Sequence, residues 1–537
     1  MIMSMKTSSL RAMVMLFAAL SCSPRRAVEA EYNVVPLPDE IELDAGKPFH
    51  FSPKTCVVAS DSAQLVNAGL FADYVKTMTG FRPEITEDAP AENYIRLVAD
   101  RQMPQAESYR INVNSDSVVV CGADPAGTFY GLQTLRKAIR GSKGEDVLYP
   151  AAVIKGSPLF SYRGALLDCA RHFFPVDSVK IWIDMLALHN INTFHWHLTD
   201  DQGWRLEIKS RPKLTEIGSE RPCTIIGTTE EYDSIPHCGY YSQEQVRDIV
   251  AYAAARHISV VPEIDLPGHM LAALASYPQL GCTGGPYEVM CRWGGSADIL
   301  CAGSDSVYAF INDVLDEVVE LFPSEYVHLG GDEAHYDQWE KCPKCQRKIR
   351  ELGLESDGRS SAEQKLQNYV MQYAADRLVS KGRKIIGWDE VIGNGADKST
   401  VIMGWRGPHG GYDGARMGYK VIKASNWYLY LDYKEDWDDV VGPPYGRVTP
   451  LDSTYNYTPV LPDYTPDQAA DVIGVQCCLW TEYLPTFKDV EGKALPRMAA
   501  VSELQWCDAP KDFEGFRHRL EGLLKIYEAE GYDYRPL

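Results

Sequence analysis

Asp332 and Glu333 stand side by side in the stretch HLGGDEAH, residues 328–335. Neighbouring like charges repel, and glycine loosens whatever element it interrupts, so the arrangement has a cost that some function should offset. Two carboxylates that cleave a glycoside in the usual way flank the scissile bond, roughly 5–10 Å apart. Sequence neighbours do not straddle a sugar easily. If this pair acts on a glycoside, one residue is the acid and the other serves a different atom of the substrate, which points to a nucleophile supplied by the substrate itself. On this reading the two preceding glycines leave room for a sugar to approach the backbone.

Aromatic residues accompany the pair. Trp388, Trp405, Tyr430 and Trp480 each fall at or near the end of an apolar run. Aromatic rings cover the C–H faces of pyranoses while their polar edges stay hydrogen-bonded. In "YLD" and "WTE", Asp432 and Glu482 lie two residues beyond Tyr430 and Trp480. Residues at that spacing share a face of an extended chain, so a stacking ring and a hydroxyl acceptor can meet one ligand.

The elements that deliver these residues form a series. Apolar runs occur at "GALLD", "NTFHWHL", "SVVPEID", "YVHLGGDE", "KIIGWDE", "TVIMGW", "YKVIKASNWYLYLD" and "IGVQCCLWTE". Amphipathic stretches lie between several of them. One carries Val179, Trp182, Ile183 and Leu186 on a single helical face; another carries Val307, Phe310, Ile311, Val314, Leu315, Val318 and Phe322. About eight strands whose C-terminal ends carry charged, His or Trp residues predict a (β/α)8 TIM barrel with its site at that face. A doubly wound open sheet also buries parallel strands, but it does not account for the count. Upstream, residues 31–155 read as a small α/β domain with short strand-like runs and two helical stretches, and the barrel as residues 156–537.

With these motifs together, the sequence resembles the family 20 glycoside hydrolases, the β-N-acetylhexosaminidases. "YRGALLD", "FHWHLTDDQGWR", "PEIDLPGH", "HLGGDE", "GWDE" and "WTE" occur in the family's order and span most of the chain. The resemblance implies an exo-acting, retaining enzyme that removes terminal β-linked N-acetylhexosamine through an oxazolinium intermediate. It implies Glu333 as general acid and then base. Asp332 would orient the 2-acetamido group whose oxygen attacks the anomeric carbon, with Tyr430 hydrogen-bonding that group. Trp388, Trp405 and Trp480 would wall the sugar pocket, Arg163, Asp432 and Glu482 would bind hydroxyls, and Asp200 and His269 would form a polar network behind the acid. The implied partner is a glycan; no cofactor or metal is implied. Glu333 is expected to have a raised pKa, from partial burial and its charged neighbour, and Asp332 to stay ionised.

Two other function classes compete. His195 and His197 in "HWH", with Asp200, His269 and His335, could begin a metal site of a deacetylase acting on N-acetyl sugars. A glycan-binding protein without catalysis is the third reading, but a lectin has no need of the adjacent acid pair.

The chain has 537 residues and a net charge of −21, which disfavours nucleic acid and anionic membrane surfaces as partners. Residues 1–30 read as a signal peptide: Lys6 and Arg11 precede a nine-residue apolar run, "AMVMLFAAL", followed by the small-residue exit "VEA" ending at Ala30. A lipid anchor at Cys22 is the alternative exit. Either predicts an exported protein, periplasmic or at the cell surface. Among 14 cysteines, Cys342 and Cys345 in "CPKC" read as a loop-stapling disulfide or free thiols. A structural metal would need a second pair of ligands.

Overall fold

The computed structural model describes residues 25–537 apart from Asn394, Gly411 and Tyr445, and leaves out the side chains of Tyr412 and Asp413. Most of the predicted signal segment, with Cys22, lies outside the described residues. Its last residues do not. The strand Ala27–Glu29 pairs in parallel with Asp146–Tyr149, and Arg25 reaches Asp146 at 2.8 Å. Residues 25–30 therefore pack on the small domain in the uncleaved chain, a placement that the reading of 1–30 as a leader did not foresee.

The small domain carries a seven-stranded mixed sheet and a three-stranded one. The helices Ser62–Thr79 and Pro125–Ala138 cover the larger sheet, and their N-termini are closed by Asp61 and Asp124, whose side chains accept backbone N–H bonds. The C-terminal helix Phe513–Glu530 returns to pack on these two helices, with Arg136 paired to Glu530.

Eight parallel strands then close a barrel: β1 (Tyr162–Asp168), β2 (Thr193–His197), β3 (Ser259–Glu263), β4 (Tyr326–His328), β5 (Lys384–Trp388), β6 (Val401–Gly404), β7 (Val421–Lys423) and β8 (Val472–Leu479). Each pairs with the next, and β8 closes on β1. All eight predicted runs are barrel strands. β1 is buried along its whole length, as expected of parallel strands covered on both faces. The lumen is filled by residues including Leu166, Val261, Ile386, Met403, Ile422 and Cys478. The outer helices bury the predicted faces, Val179 to Leu186 on Val176–Leu188 and Val307 to Val318 on Asp305–Leu321. The ring of helices is thin between β5 and β7, where a 3-10 turn (Asp389–Ile392) and a five-residue helix (Tyr412–Arg416) replace full helices.

Candidate active site

At the C-terminal strand ends, Arg171, His269, Asp332, Glu333, Trp388, Trp405, Tyr430, Asp432, Trp480 and Glu482 line one pocket, joined by Tyr433 and Tyr483. A larger cleft of about 740 Å³ lies elsewhere, lined by Gln105, Phe160, Tyr457 and Cys507 among others. It gathers no comparable set of titratable groups, so the chemistry belongs to the smaller pocket.

The turn after β4 explains the glycines. Gly330 and Gly331 have φ of 65° and 98°, and Glu333 itself has φ of 43°. A side chain at Gly330 would place a Cβ 1.7 Å from Asp265 Oδ1, and one at Gly331 would stand 2.6 Å from Val391 Cγ1. The glycines thus allow a left-handed turn packed against β3 and β5 neighbours. They face away from the pocket, which corrects the expectation that they make room for a sugar. Holding Glu333 at positive φ strains the backbone by about 1–3 kcal/mol, a cost accepted where geometry matters more than stability. Asp265 accepts the Gly331 N–H at 3.1 Å and fixes the turn from below.

The two carboxylates lean on one imidazole. His269 Nε2 is 3.7 Å from Asp332 Oδ2 and 3.7 Å from Glu333 Oε2. They stand together on one side of the pocket. The Asp332 side chain is 15% exposed and that of Glu333 51% exposed. Burial pushes the Asp332 carboxyl up, helped by the charges of Glu263 and Glu333 and opposed by His269. The upward push thus falls on Asp332, the more buried of the two carboxylates.

His269 belongs to a charged network. Its Nδ1 is 3.1 Å from Asp200 Oδ1, and Asp200 Oδ2 takes Arg171 at 2.8 Å and His197 at 2.9 Å. Burial disfavours the Asp200 charge, but the Arg171 and His269 cations hold its carboxyl well below the usual range. Against burial, Asp200 holds the His269 imidazole protonated far above its ordinary range. Asp200 is itself buried behind the pocket wall. Arg171 also lies 5.1 Å over the Trp480 ring, 3.3 Å from Asp168 and 4.0 Å from Glu482.

Arg163 is elsewhere. It is the second residue of β1, at the opposite end of the barrel from the pocket. There it bonds Glu107 at 2.7 Å, Tyr130 Oη at 2.9 Å and the Asn190 carbonyl at 2.9 Å. It ties the barrel to the small domain and does not reach a sugar. Arg171, three residues past the end of β1, occupies the pocket instead. The sequence held the signal: only residues at or beyond a strand's C-terminal end can reach that face.

The far walls are aromatic and acidic. Trp405 and Tyr430 stack with centroids 6.2 Å apart and planes 14° from parallel, and Trp480 stands 5.9 Å from Trp388. Trp405 Nε1 donates to Glu390 Oε2 at 3.1 Å, and Trp388 Nε1 donates to Glu263 Oε1 at 2.8 Å, so the rings are held by their edges. Among the described residues, buried Asp332 Oδ1 and Asp432 Oδ1 have no hydrogen-bond partner. Buried acceptors left open in a pocket call for donors on a ligand. Burial and the Glu482 charge push the Asp432 carboxyl well up, and burial raises Glu482 against the opposing charge of Arg171.

His195 and His197 do not line the pocket. With His328 they surround Glu263 beneath Trp388, at 3.1, 2.5 and 3.0 Å from its oxygens. His195 Nδ1 is also bonded by Gln476, and His328 Nδ1 accepts the Gly330 N–H. His335 is exposed on the loop beyond Glu333. The histidines of the deacetylase reading are thus divided between the barrel interior, the pocket and the surface. Glu263 and His328, which sequence reasoning did not single out, anchor the Trp388 wall.

Fold and site together define a (β/α)8-barrel protein with a carboxylate-and-aromatic pocket at its C-terminal face. The profile described as "Glycosyl hydrolase family 20, catalytic domain" matches residues 160–509, and that of "domain 2" of the same family matches residues 31–155. The chain belongs to glycosyl hydrolase family 20. It is 39% identical over 513 residues to a β-hexosaminidase of Porphyromonas gingivalis, covering 94% of this chain and 64% of that protein. With a β-N-acetylhexosaminidase of Cellulomonas fimi it shares 30% identity, covering 93% of this chain and 95% of the relative. The chain thus spans less than two thirds of the Porphyromonas relative and nearly all of the Cellulomonas one. Among solved structures, the exo β-N-acetylglucosaminidase of Vibrio harveyi in complex with N-acetylglucosamine superposes with a TM-score of 0.84 at 30% identity, covering 94% of this chain and 79% of that one. The β-N-acetylhexosaminidase of Bacteroides fragilis gives 0.77 at 33% identity, covering 94% and 97%.

Proposed function

We propose that the protein is an exo-acting β-N-acetylhexosaminidase that releases terminal GlcNAc, GalNAc or both from glycans with retention, using the substrate's acetamido oxygen as nucleophile. The observation that carries this is the side-by-side placement of Asp332 and Glu333 on His269 Nε2, 3.7 Å from each. In the first step the acetamido oxygen bonds to the anomeric carbon, the glycosidic C–O bond breaks, and Glu333 gives its proton to the departing oxygen. Asp332, ionised when the substrate's N–H enters, balances the positive charge of the oxazolinium. Water then adds to the anomeric carbon, Glu333 takes its proton, and the five-membered ring opens. The intramolecular nucleophile lowers the barrier by several kcal/mol, on the order of 5 or more.

Export is part of the proposal. The Ala27–Glu29 strand favours an exit upstream of Arg25, such as acylation at Cys22, over cleavage after Ala30, which would strip the edge of the three-stranded sheet. Intact-mass analysis of the mature protein distinguishes the two.

The experiment compares nitrophenyl N-acetyl-β-glucosaminide and -galactosaminide with nitrophenyl β-glucoside. Release from an acetamido sugar and none from the glucoside is expected. Equal release from the glucoside would sink substrate assistance, and binding without turnover would sink the enzyme reading.

A further inference from the structure

Four cysteines outside the pocket converge. Cys282 and Cys301 come from the long loop between β3 and the helix Asp305–Leu321; Cys342 and Cys345 flank the start of the helix Pro343–Glu351, after β4. Their sulfurs all lie within 4.8 Å of one another. Cys301 Sγ is 3.7 Å from Cys342 Sγ and 3.6 Å from Cys345 Sγ, and Cys282 Sγ is 3.8 Å from Cys345 Sγ. A disulfide needs about 2.05 Å. Four sulfurs at about 2.3 Å from a tetrahedral zinc ion are separated by about 3.8 Å. The observed spacings are those of tetrahedron edges.

The backbone is built to the same end. Gly281 bridges Leu300 in antiparallel fashion, and Cys301 N–H donates to Leu280 at 2.8 Å, which sets Cys282 beside Cys301. Gly303 lets the second loop close in, since a Cβ there would stand 2.2 Å from Lys344 C. Cys342 stands at the N-cap position of the helix Pro343–Glu351 and Cys345 lies in its first turn, so one helix start presents both sulfurs. Three of the four are buried.

We propose that Cys282, Cys301, Cys342 and Cys345 form a structural tetrathiolate zinc site that fastens the β3 and β4 loops together beside the pocket. The "CPKC" pair does have its second pair of ligands, supplied by cysteines too far away in sequence to suggest it. The site's consequence runs through Trp339, buried between the loops, whose Nε1 donates to the Leu300 carbonyl at 2.9 Å. The same β3 loop gives the Ser296 N–H to Asp201 at 2.8 Å, beside His269. The metal holds the rim that shapes how a longer glycan leaves the pocket, and it takes no part in bond breaking.

The test uses the full mature protein, both as purified and after reduction and incubation with zinc, then dialysed against EDTA. About one zinc per chain by elemental analysis is expected, retained until a mercurial titrates the thiols. A cobalt-loaded sample should show thiolate-to-metal charge transfer and the intense visible bands of a tetrahedral ion. Cys282→Ser, which alters the most exposed ligand, should lose zinc to EDTA and weaken or shift the cobalt spectrum, while Cys507→Ser should change neither. The melting temperature should fall on zinc removal in the wild type. Protein that binds no zinc under either condition overturns the proposal, whether the four residues are found as thiols or as two disulfides. So does a Cys282→Ser variant that keeps the wild-type cobalt spectrum.

Discussion

Glu333 and Asp332 share one imidazole yet have different surroundings, and the difference sets what each mutation should do. Glu333 is the more exposed and is the proposed acid; Asp332 is largely buried with an unpartnered oxygen. An acid matters most when the leaving group is poor. Glu333→Gln should therefore cut kcat on a GlcNAc disaccharide by about 10²–10⁴-fold, while formation of the intermediate from a dinitrophenyl substrate stays within about tenfold. Asp332→Asn acts on the nucleophile, so both substrates should slow together. Steady-state and pre-steady-state rates on the two substrates check this; equal losses in Glu333→Gln would remove it from the acid's role. Both residues were legible in the sequence because adjacency is a local property. The purpose of Gly330 and Gly331 was not, since Asp265 and Val391, which they pack against, come from other strands.

At the scale of elements, position along a strand decides which residue can serve the site. β1 illustrates it. Arg163 enters at the bottom and binds Glu107 and Tyr130 of the small domain, whereas Arg171 leaves at the top and binds Asp200. Arg163→Gln should lower stability by about 3 kcal/mol, because it leaves a buried ionic cluster half-made, and should change kcat/KM less than threefold, about 0.6 kcal/mol. Arg171→Gln should lower kcat/KM by at least about 100-fold, since it frees Asp200 and removes the cation beside Glu482. Thermal melts beside kcat/KM on an aryl substrate separate the two. A large catalytic loss in Arg163→Gln with normal melting would restore it to the pocket. The eight strands were readable because buried parallel strands are continuous apolar runs. The thin helical layer between β5 and β7 was not, because short crossovers leave no periodicity to read. Nor was the four-cysteine cluster, because its pairs are about forty residues apart and meet only when two loops fold over each other.

For the whole molecule, the mouth of the barrel concentrates acidity that the net charge of −21 only hints at. Asp332, Asp432 and Glu482 are all pushed up by burial, and Glu390, which holds the Trp405 indole, is raised from 4.5 to about 8 by burial and then by the charges of Asp332 and Asp389. Between 4.5 and about 8 the native state binds a proton at Glu390 that the unfolded chain has released. Stability from this group is thus full below 4.5 and declines as pH rises, with a slope of at most about 1.4 kcal/mol per pH unit. His197, raised from 6.5 to about 10, acts in the same direction above 6.5. The buried neutral histidines His172 and His195, lowered to about 4, act below 6.5 and drop out above it. From pH 7 to 8.5 the neutral histidines are silent, and Glu390 acts together with His197. Self-repulsion of a more acidic chain would also lower stability there, so the comparison has to be with Glu390→Gln, which keeps an acceptor for Trp405 and removes the titration. The wild type should lose about 1 kcal/mol more than the variant across that window, read as a steeper fall of the denaturant midpoint with pH. Parallel curves would mean that Glu390 carries its charge in the folded barrel as freely as in the unfolded chain, and that the acidic mouth is wetter than its packing implies.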